Sequence, residues 1–256
     1  MSLLRVEGLN KEFGGVHAVQ DLSFEINPGT VHAIIGPNGA GKTTLFNLIT
    51  GVYTPSAGRI HFDDQDVTTL KPYQLAQRGI SRTFQNLQIF FNMSAIENVM
   101  VGMHLQCDSR FIPSLLRLPS VRRRERELRL EVERLMEFVG LGDYVESDAS
   151  AMPYGALKRL EIARSLATKP KMILLDEPAA GLNPAETKDI DDLIQKVARS
   201  GITVVFVEHD MRLVMGVSDH ILVLESGTKL AEGTVQEIRH NPDVVAAYLG
   251  EAGRDR

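Results

Sequence analysis

Residues 36–43 read GPNGAGKT, directly after the apolar run VHAII at 31–35 and directly before TLFNLIT at 44–50. The octet fits G-x-x-x-x-G-K-[ST] at every fixed position, and the flanks predict a strand before it and a helix after it. By average composition a chance match in a chain of this length is about one in a hundred, and the strand–loop–helix context lowers that further. The residue types follow from the chemistry of phosphate. Gly36, Gly39 and Gly41 let the backbone curl so that successive N–H groups face inward, with Pro37, Asn38 and Ala40 completing the curve. The helix opening near Lys42, Thr43 and Thr44 adds the positive end of its dipole. Lys42 can reach the β- and γ-phosphates, and the Thr43 hydroxyl can ligate Mg²⁺. The loop marks a nucleoside triphosphate site.

A second apolar run, MILLDE at 172–177, ends in two acids. Its density predicts a central strand whose carboxyl end lies beside the phosphate loop, where ligands bind in open α/β sheets. Asp176 then suits Mg²⁺, and Glu177 can polarise an attacking water as a general base. A third run, ITVVFVEH, ends on His209, which can face the γ-phosphate or the water or be an ordinary surface residue. ISRTFQ at 80–85 predicts a strand closed by Gln85, an amide able to bind Mg²⁺ or water, or merely to cap the strand.

The surrounding chain is an α/β protein with a mainly parallel sheet, since strands alternate with helices in both halves. Leu22, Phe24 and Ile26 alternate with polar residues, as in a half-buried antiparallel strand. Ser94 with Glu97 predicts a capped helix start. Leu128, Val132, Leu135, Met136 and Val139 share one helix face over 120–139, with Gly140 as terminator. Ser226-Gly227 predicts a hairpin turn. With 256 residues and a net charge of -5, the chain can bury a sizeable core and is not a general nucleic-acid binder. Its single cysteine, Cys107, forms no internal disulfide, and the start MSLLRVEGLNKEF does not resemble a signal peptide. No segment reaches the length of a membrane span.

The phosphate loop, SRTFQ, the helix LKRLEIARSLA at 157–167, MILLDEP, the AAGLNP that follows it and VEHD agree in order and spacing with one family. Together they resemble the ATP-binding subunit of an ABC transporter, over nearly the whole chain. The resemblance implies ATP and Mg²⁺ as ligands and a P-loop fold of ABC type. Such a fold has a mainly parallel core sheet, an antiparallel β subdomain and an inserted α-helical subdomain. It forms one ATPase domain over 1–256, with its core at 1–86 and 164–256 and its helical subdomain at about 87–163. It further implies that Phe13, in KEFGG, stacks on adenine with Val16 beside the nucleotide. Gln85 would sense Mg²⁺ and water, Glu177 would be the catalytic base and His209 would hold the γ-phosphate. Family members close as head-to-tail dimers over two ATP molecules, so Asn183 would face the opposing subunit.

The family's common signature Leu-Ser-Gly-Gly-Gln is replaced here by Met152-Pro153-Tyr154-Gly155-Ala156, in which only Gly155 matches. The serine hydroxyl is gone and Pro153 has no N–H. The Gly155 amide, the helix dipole, Lys158 and Arg159 are left to meet the partner's phosphate. Pro-Tyr-Gly, the insertion before residue 120 and the ending NPDVVAAYLGEA resemble ATPases of branched-chain amino acid importers. Those pair with an identical or a second ATPase under two membrane permease subunits, served by a periplasmic binding protein, at the cytoplasmic face of the inner membrane. Importers for urea, amides or aromatic acids and lipopolysaccharide exporters share the chemistry. A soluble ABC ATPase acting on ribosomes or DNA fits less well, because it would usually carry two halves and a basic surface.

Two segments bear on the membrane. QNLQIFFNM at 85–93 presents Phe90, Phe91 and Met93, either as a dock for the permeases or as helical-subdomain core. FIPSLLRLPSVRRRERELRL at 111–130 sets apolar residues beside five arginines between 117 and 126. They are read first as solvated or paired with Glu125, Glu127 and Glu131, and second as a contact with lipid headgroups.

Overall fold

A computed structural model describes residues 2–106 and 119–252. Cys107 and residues 107–118, Arg117 among them, lie outside the described residues, as do the side chains of Arg122, Arg123, Arg124 and Glu125. The chain forms two compact units, one from residues 1–82 and 171–256, the other from 83–170.

The first unit holds two sheets. Strands β1 (Leu4–Phe13), β2 (Val16–Ile26), β4 (Ala57–Phe62) and β5 (Gln65–Asp66) make a four-stranded sheet in the order β2-β1-β4-β5, antiparallel throughout. The alternation in β2 is realised: Leu22, Phe24 and Ile26 are buried while Ser23 and Glu25 are exposed. The second sheet runs β10-β9-β3-β8-β7-β6. Its strands are β3 (Val31–Ile35), β6 (Ile80–Arg82), β7 (Met172–Asp176), β8 (Thr203–Val207), β9 (His220–Glu225) and β10 (Thr228–Thr234). All pairings are parallel except the β9–β10 hairpin. That hairpin turns at Ser226 and Gly227, both at positive φ, the geometry that a two-residue turn between right-twisted strands requires. β3, β7 and β8 are buried at every residue, as central parallel strands with both faces covered should be.

Helix α1 (Lys42–Ile49) follows the phosphate loop, and the short helix α2 (Pro72–Arg78) precedes β6. The second unit contains α3 (Ala95–Gly102), α4 (Pro119–Phe138) and α5 (Tyr154–Leu166). Ser94 caps α3 in a capping box with Glu97. In α4 Leu128, Val132 and Met136 are buried on one face, Val139 is buried in the turn just past the helix, and Gly140 follows at φ 76°. Back in the first unit, α6 (Pro184–Arg199) buries Ile190, Leu193, Ile194 and Val197, the i, i+3, i+4, i+7 stripe of a helix lying on a sheet. Helices α7 (Met211–Val217), α8 (Val235–Arg239) and α9 (Pro242–Ala252) complete the chain.

One expected strand is shorter than its sequence suggests. β6 stops at Arg82, so Gln85 does not close it. At residue 84 the backbone N–H turns to a side chain, donating to Glu161 Oε1 at 3.4 Å instead of continuing a ladder.

Candidate functional site

At the carboxyl edge of the six-stranded sheet, β3, β8 and β7 are consecutive parallel neighbours. The first unit therefore brings together the loop after β3, His209 just beyond β8, and Asp176 and Glu177 at the end of β7. The three glycines of the loop answer to different demands. At Gly36 a Cβ would meet the Leu224 carbonyl oxygen at 2.1 Å, and at Gly41 the Ala18 carbonyl oxygen at 2.5 Å, so neighbouring backbone fixes both. At Gly39, with φ +79°, a Cβ would meet nothing within 4 Å. At that position the positive φ, rather than crowding, is what favours glycine. Pro37 is partly buried, Asn38 is exposed and Ala40 is buried against the core.

Gly41 occupies the N-cap of α1 without any side-chain cap. Helices α3, α6, α7 and α8 are instead capped by Ser94, Asn183, Asp210 and Thr234. The first turn of α1 thus has no side-chain cap, which suits an anion. Lys42 Nζ donates to the carbonyls of Gly36 and Pro37 at 2.6 and 2.9 Å, folded back onto its own loop. Thr43 is exposed and Thr44 half-buried at the start of the same helix.

Asp176 is buried and paired with Arg82, Nη2 to Oδ2, at 2.8 Å. Glu177 follows at φ 48°, a conformation uncommon for a residue with a side chain, held by its N–H donating to the Val207 carbonyl at 3.0 Å. His209 is exposed, its Nδ1 lying 3.7 Å from Glu208 Oε2. Glu208 itself is buried and accepts from the amides of Ala179 at 2.9 Å and His209 at 3.0 Å. Asn183 caps α6, its Oδ1 accepting from the amides of Ala185 and Glu186, with Glu186 returning the bond to the Asn183 N–H. A cavity of about 390 Å³ beside His209 is lined by Gly181, Leu182, Lys188, Asp191, Glu208 and Arg212 among others, and by no residue of the phosphate loop. Burial raises the Asp191 carboxyl above its ordinary value.

Phe13, at the end of β1, is exposed and meets Tyr53 edge-on, ring centroids 5.1 Å apart. The Lys11 ammonium lies 4.9 Å from the Phe13 ring centroid and donates to the Thr54 carbonyl at 2.9 Å. Val16 is exposed.

The second unit carries the other expected residues. Pro153 is the N-cap of α5 and offers no side-chain cap, so this helix also begins uncapped. Tyr154 is exposed, whereas Gly155, Ala156 and Lys158 are buried. The Lys158 ammonium lies 5.8 Å from the Tyr154 ring centroid, facing the first turn. Gln85 sits in an exposed bend. Phe90 and Phe91 are exposed and not core, and Asn98 brackets Phe90 by accepting from its N–H at 2.9 Å and donating to its carbonyl at 3.0 Å. Burial raises the Glu161 carboxyl above its ordinary value.

Glu208, Arg82 and Tyr53 were not singled out by the sequence. Glu208 had a signal, an acid between a fully apolar strand and the candidate histidine.

Residues 19–180 match the family described as ABC transporter, and residues 228–254 match the family described as branched-chain amino acid ATP-binding cassette transporter. The chain is 45% identical over 251 residues to the high-affinity branched-chain amino acid transport ATP-binding protein BraF of Pseudomonas aeruginosa. It is 47% identical, again over 251 residues, to LivG of the same description from Escherichia coli K12. In both cases 98% of each chain is covered. The ADP conformation of MJ1267, an ATP-binding cassette of an ABC transporter, superposes with a TM-score of 0.85 at 35% identity, covering 98% of this chain and 99% of that one.

Proposed function

The chain belongs to the ABC transporter family as an ATPase of that family, and on that premise we propose that it powers an importer of branched-chain amino acids. The observation that carries the proposal is the single sheet edge on which the phosphate loop, Asp176, Glu177 and His209 converge.

Lys42 exchanges its two loop carbonyls for the β- and γ-phosphates of ATP, and the amides around Gly39 and the start of α1 receive the remaining phosphate oxygens. Among the described residues no cluster of three metal-ligating side chains exists. A magnesium ion suits such a site, because Mg²⁺ binds through one or two protein oxygens plus phosphates and water. Thr43 and Asp176 would hold it, and when bound it would neutralise charge on the phosphates. Glu177 takes a proton from the attacking water, and His209 steadies the γ-phosphate. Phe13 stacks on adenine, and Val16 packs beside it. Gln85 reports the nucleotide state. The second unit serves as the helical subdomain expected at about 87–163.

The working form is a head-to-tail dimer with an identical or a second ATPase. Pro153, Tyr154, Gly155 and Ala156 present the uncapped start of α5 to the partner's ATP. Asn183 shapes the segment that faces the partner, by capping α6. Phe90 and Phe91 offer an apolar surface to two permease subunits. No described helix is long and apolar enough to cross a membrane, and the subunit attaches through those permeases at the cytoplasmic face of the inner membrane. A periplasmic binding protein supplies the cargo.

Tandem purification from the native cell, followed by ATPase assays in vesicles, tests this. Permeases should co-purify, and binding protein loaded with leucine, isoleucine or valine should stimulate hydrolysis. Stimulation by urea, amides or aromatic acids instead would reassign the cargo. Recovery of ribosomes or DNA without permeases would remove the transport role.

A further inference from the structure

Arg82 joins three elements at the floor of the nucleotide site, all within the first unit. Its Nη2 donates to Asp176 Oδ2 at 2.8 Å on β7. Its Nη1 donates to Asn47 Oδ1 at 2.6 Å and to Thr50 Oγ1 at 3.2 Å on and just beyond α1. The guanidinium carbon lies 5.5 Å from the Phe46 ring centroid, a cation–π distance. The side chains of Arg82 and Asp176 are 8% and 9% exposed, so neither charge has water as its main partner. A carboxylate buried to that degree is stable only beside a compensating charge with good geometry. The planar fork supplies it and also fixes the direction in which the carboxylate faces. α1 begins at Lys42 and Thr43, so the same guanidinium couples the helix bearing one metal-binding oxygen to the strand bearing the other.

We propose that Arg82 is a positioning residue for the metal–nucleotide complex. It orients Asp176 and locks α1 to β7, so that the magnesium-dependent part of ATP affinity requires it. This deepens the proposed function and rests on its placement of ATP at residues 36–44. Partners that orient a metal ligand typically change metal affinity or activity about 10–100-fold when removed.

The test uses the full chain and a fluorescent ATP analogue, titrated once with Mg²⁺ and once with EDTA. For Arg82→Met, the ratio of the two affinities should fall ~10–100-fold, with the EDTA affinity within about twofold of wild type. The Mg²⁺ concentration giving half-maximal binding should rise in parallel. Arg82→Lys places a single point charge near Asp176 without the fork for Asn47 and Thr50, so it should fall between the two. It also carries the test if Arg82→Met does not fold. An unchanged ratio in a folded variant, an equal loss with and without Mg²⁺, or a lower Mg²⁺ requirement would each overturn the proposal. Absence of nucleotide binding by the wild-type chain would instead sink the proposed function.

Discussion

The amide of Ala179 donates to the carboxylate of Glu208 at 2.9 Å, although the two residues lie 29 positions apart. The residue that follows β8 thereby holds the turn that follows β7. The same carboxylate receives the His209 amide, so one buried acid ties the turn after β7 to the backbone of the candidate histidine.

Glu208→Ala leaves the Ala179 and His209 amides without that acceptor, at a cost of about 1–3 kcal/mol for each that stays buried. A loss of roughly 5–10 °C in melting temperature is expected, because each kcal/mol moves a domain of this size by about 2–4 °C. Glu208→Gln, which keeps an acceptor oxygen, should recover most of it. Differential scanning calorimetry checks both, and equal melting temperatures for wild type and Glu208→Ala would remove the bracing role.

Glu177→Gln should bind ATP with near-normal affinity yet lose turnover by about 10²–10⁴-fold, the usual contribution of a general base. Its amide cannot take a proton, while the bond from the Glu177 N–H to the Val207 carbonyl is untouched. Phosphate release from the assembled transporter is the measurement, and near-normal rates would take Glu177 out of the base role.

Phe13→Ala should weaken nucleotide binding by about 1–3 kcal/mol, the range for stacking a base on an aromatic ring. Tyr53→Ala should have a smaller effect, near the 0.5–1.5 kcal/mol of an edge-on aromatic pair, because it removes only the brace behind Phe13. Titration calorimetry would discard the stacking assignment if affinity were unchanged in Phe13→Ala.

His32 gives the fold a pH dependence separate from catalysis. Burial, helped by the stacked His220 ring 5.5 Å away and opposed by Asp219, lowers its pKa to about 4. The unfolded chain takes up this proton near pH 6.5 and the native chain only near 4, so the unfolded state gains protons first as pH falls. Stability is complete above pH 6.5, declines from there down to about 4, and should drop by roughly 2 kcal/mol between pH 7 and 5. Urea titrations at the two pH values measure this, and His32→Phe should flatten the difference.

The parts of this architecture that rest on local pattern are legible in the sequence. VHAII, MILLD and TVVFV announce buried parallel strands because every residue is apolar, and GPNGAGKT announces its own loop. What periodicity could not supply is pairing across long separations. Arg82 and Asp176 are 94 residues apart, and nothing in either stretch names the other. The end of β6 is hidden from the sequence for the same reason, since the acceptor of the Phe84 amide is Glu161, far along the chain. Asn183 is a different case. Asn-Pro-Ala-Glu is a helix-start pattern legible in the sequence, and the Asn183 side-chain oxygen caps its own helix as that pattern implies.

The order β10-β9-β3-β8-β7-β6 sets a timetable for synthesis. β3 and its loop leave the ribosome early, yet both strands that flank β3 lie beyond residue 200, and the Leu224 carbonyl that crowds Gly36 comes later still. For most of translation the phosphate loop is therefore an apolar strand end with no neighbours to pair with, the type of exposed edge that chaperones shield. A nascent chain stalled before β9 would carry every residue of that loop and still lack the strand whose Leu224 carbonyl crowds Gly36.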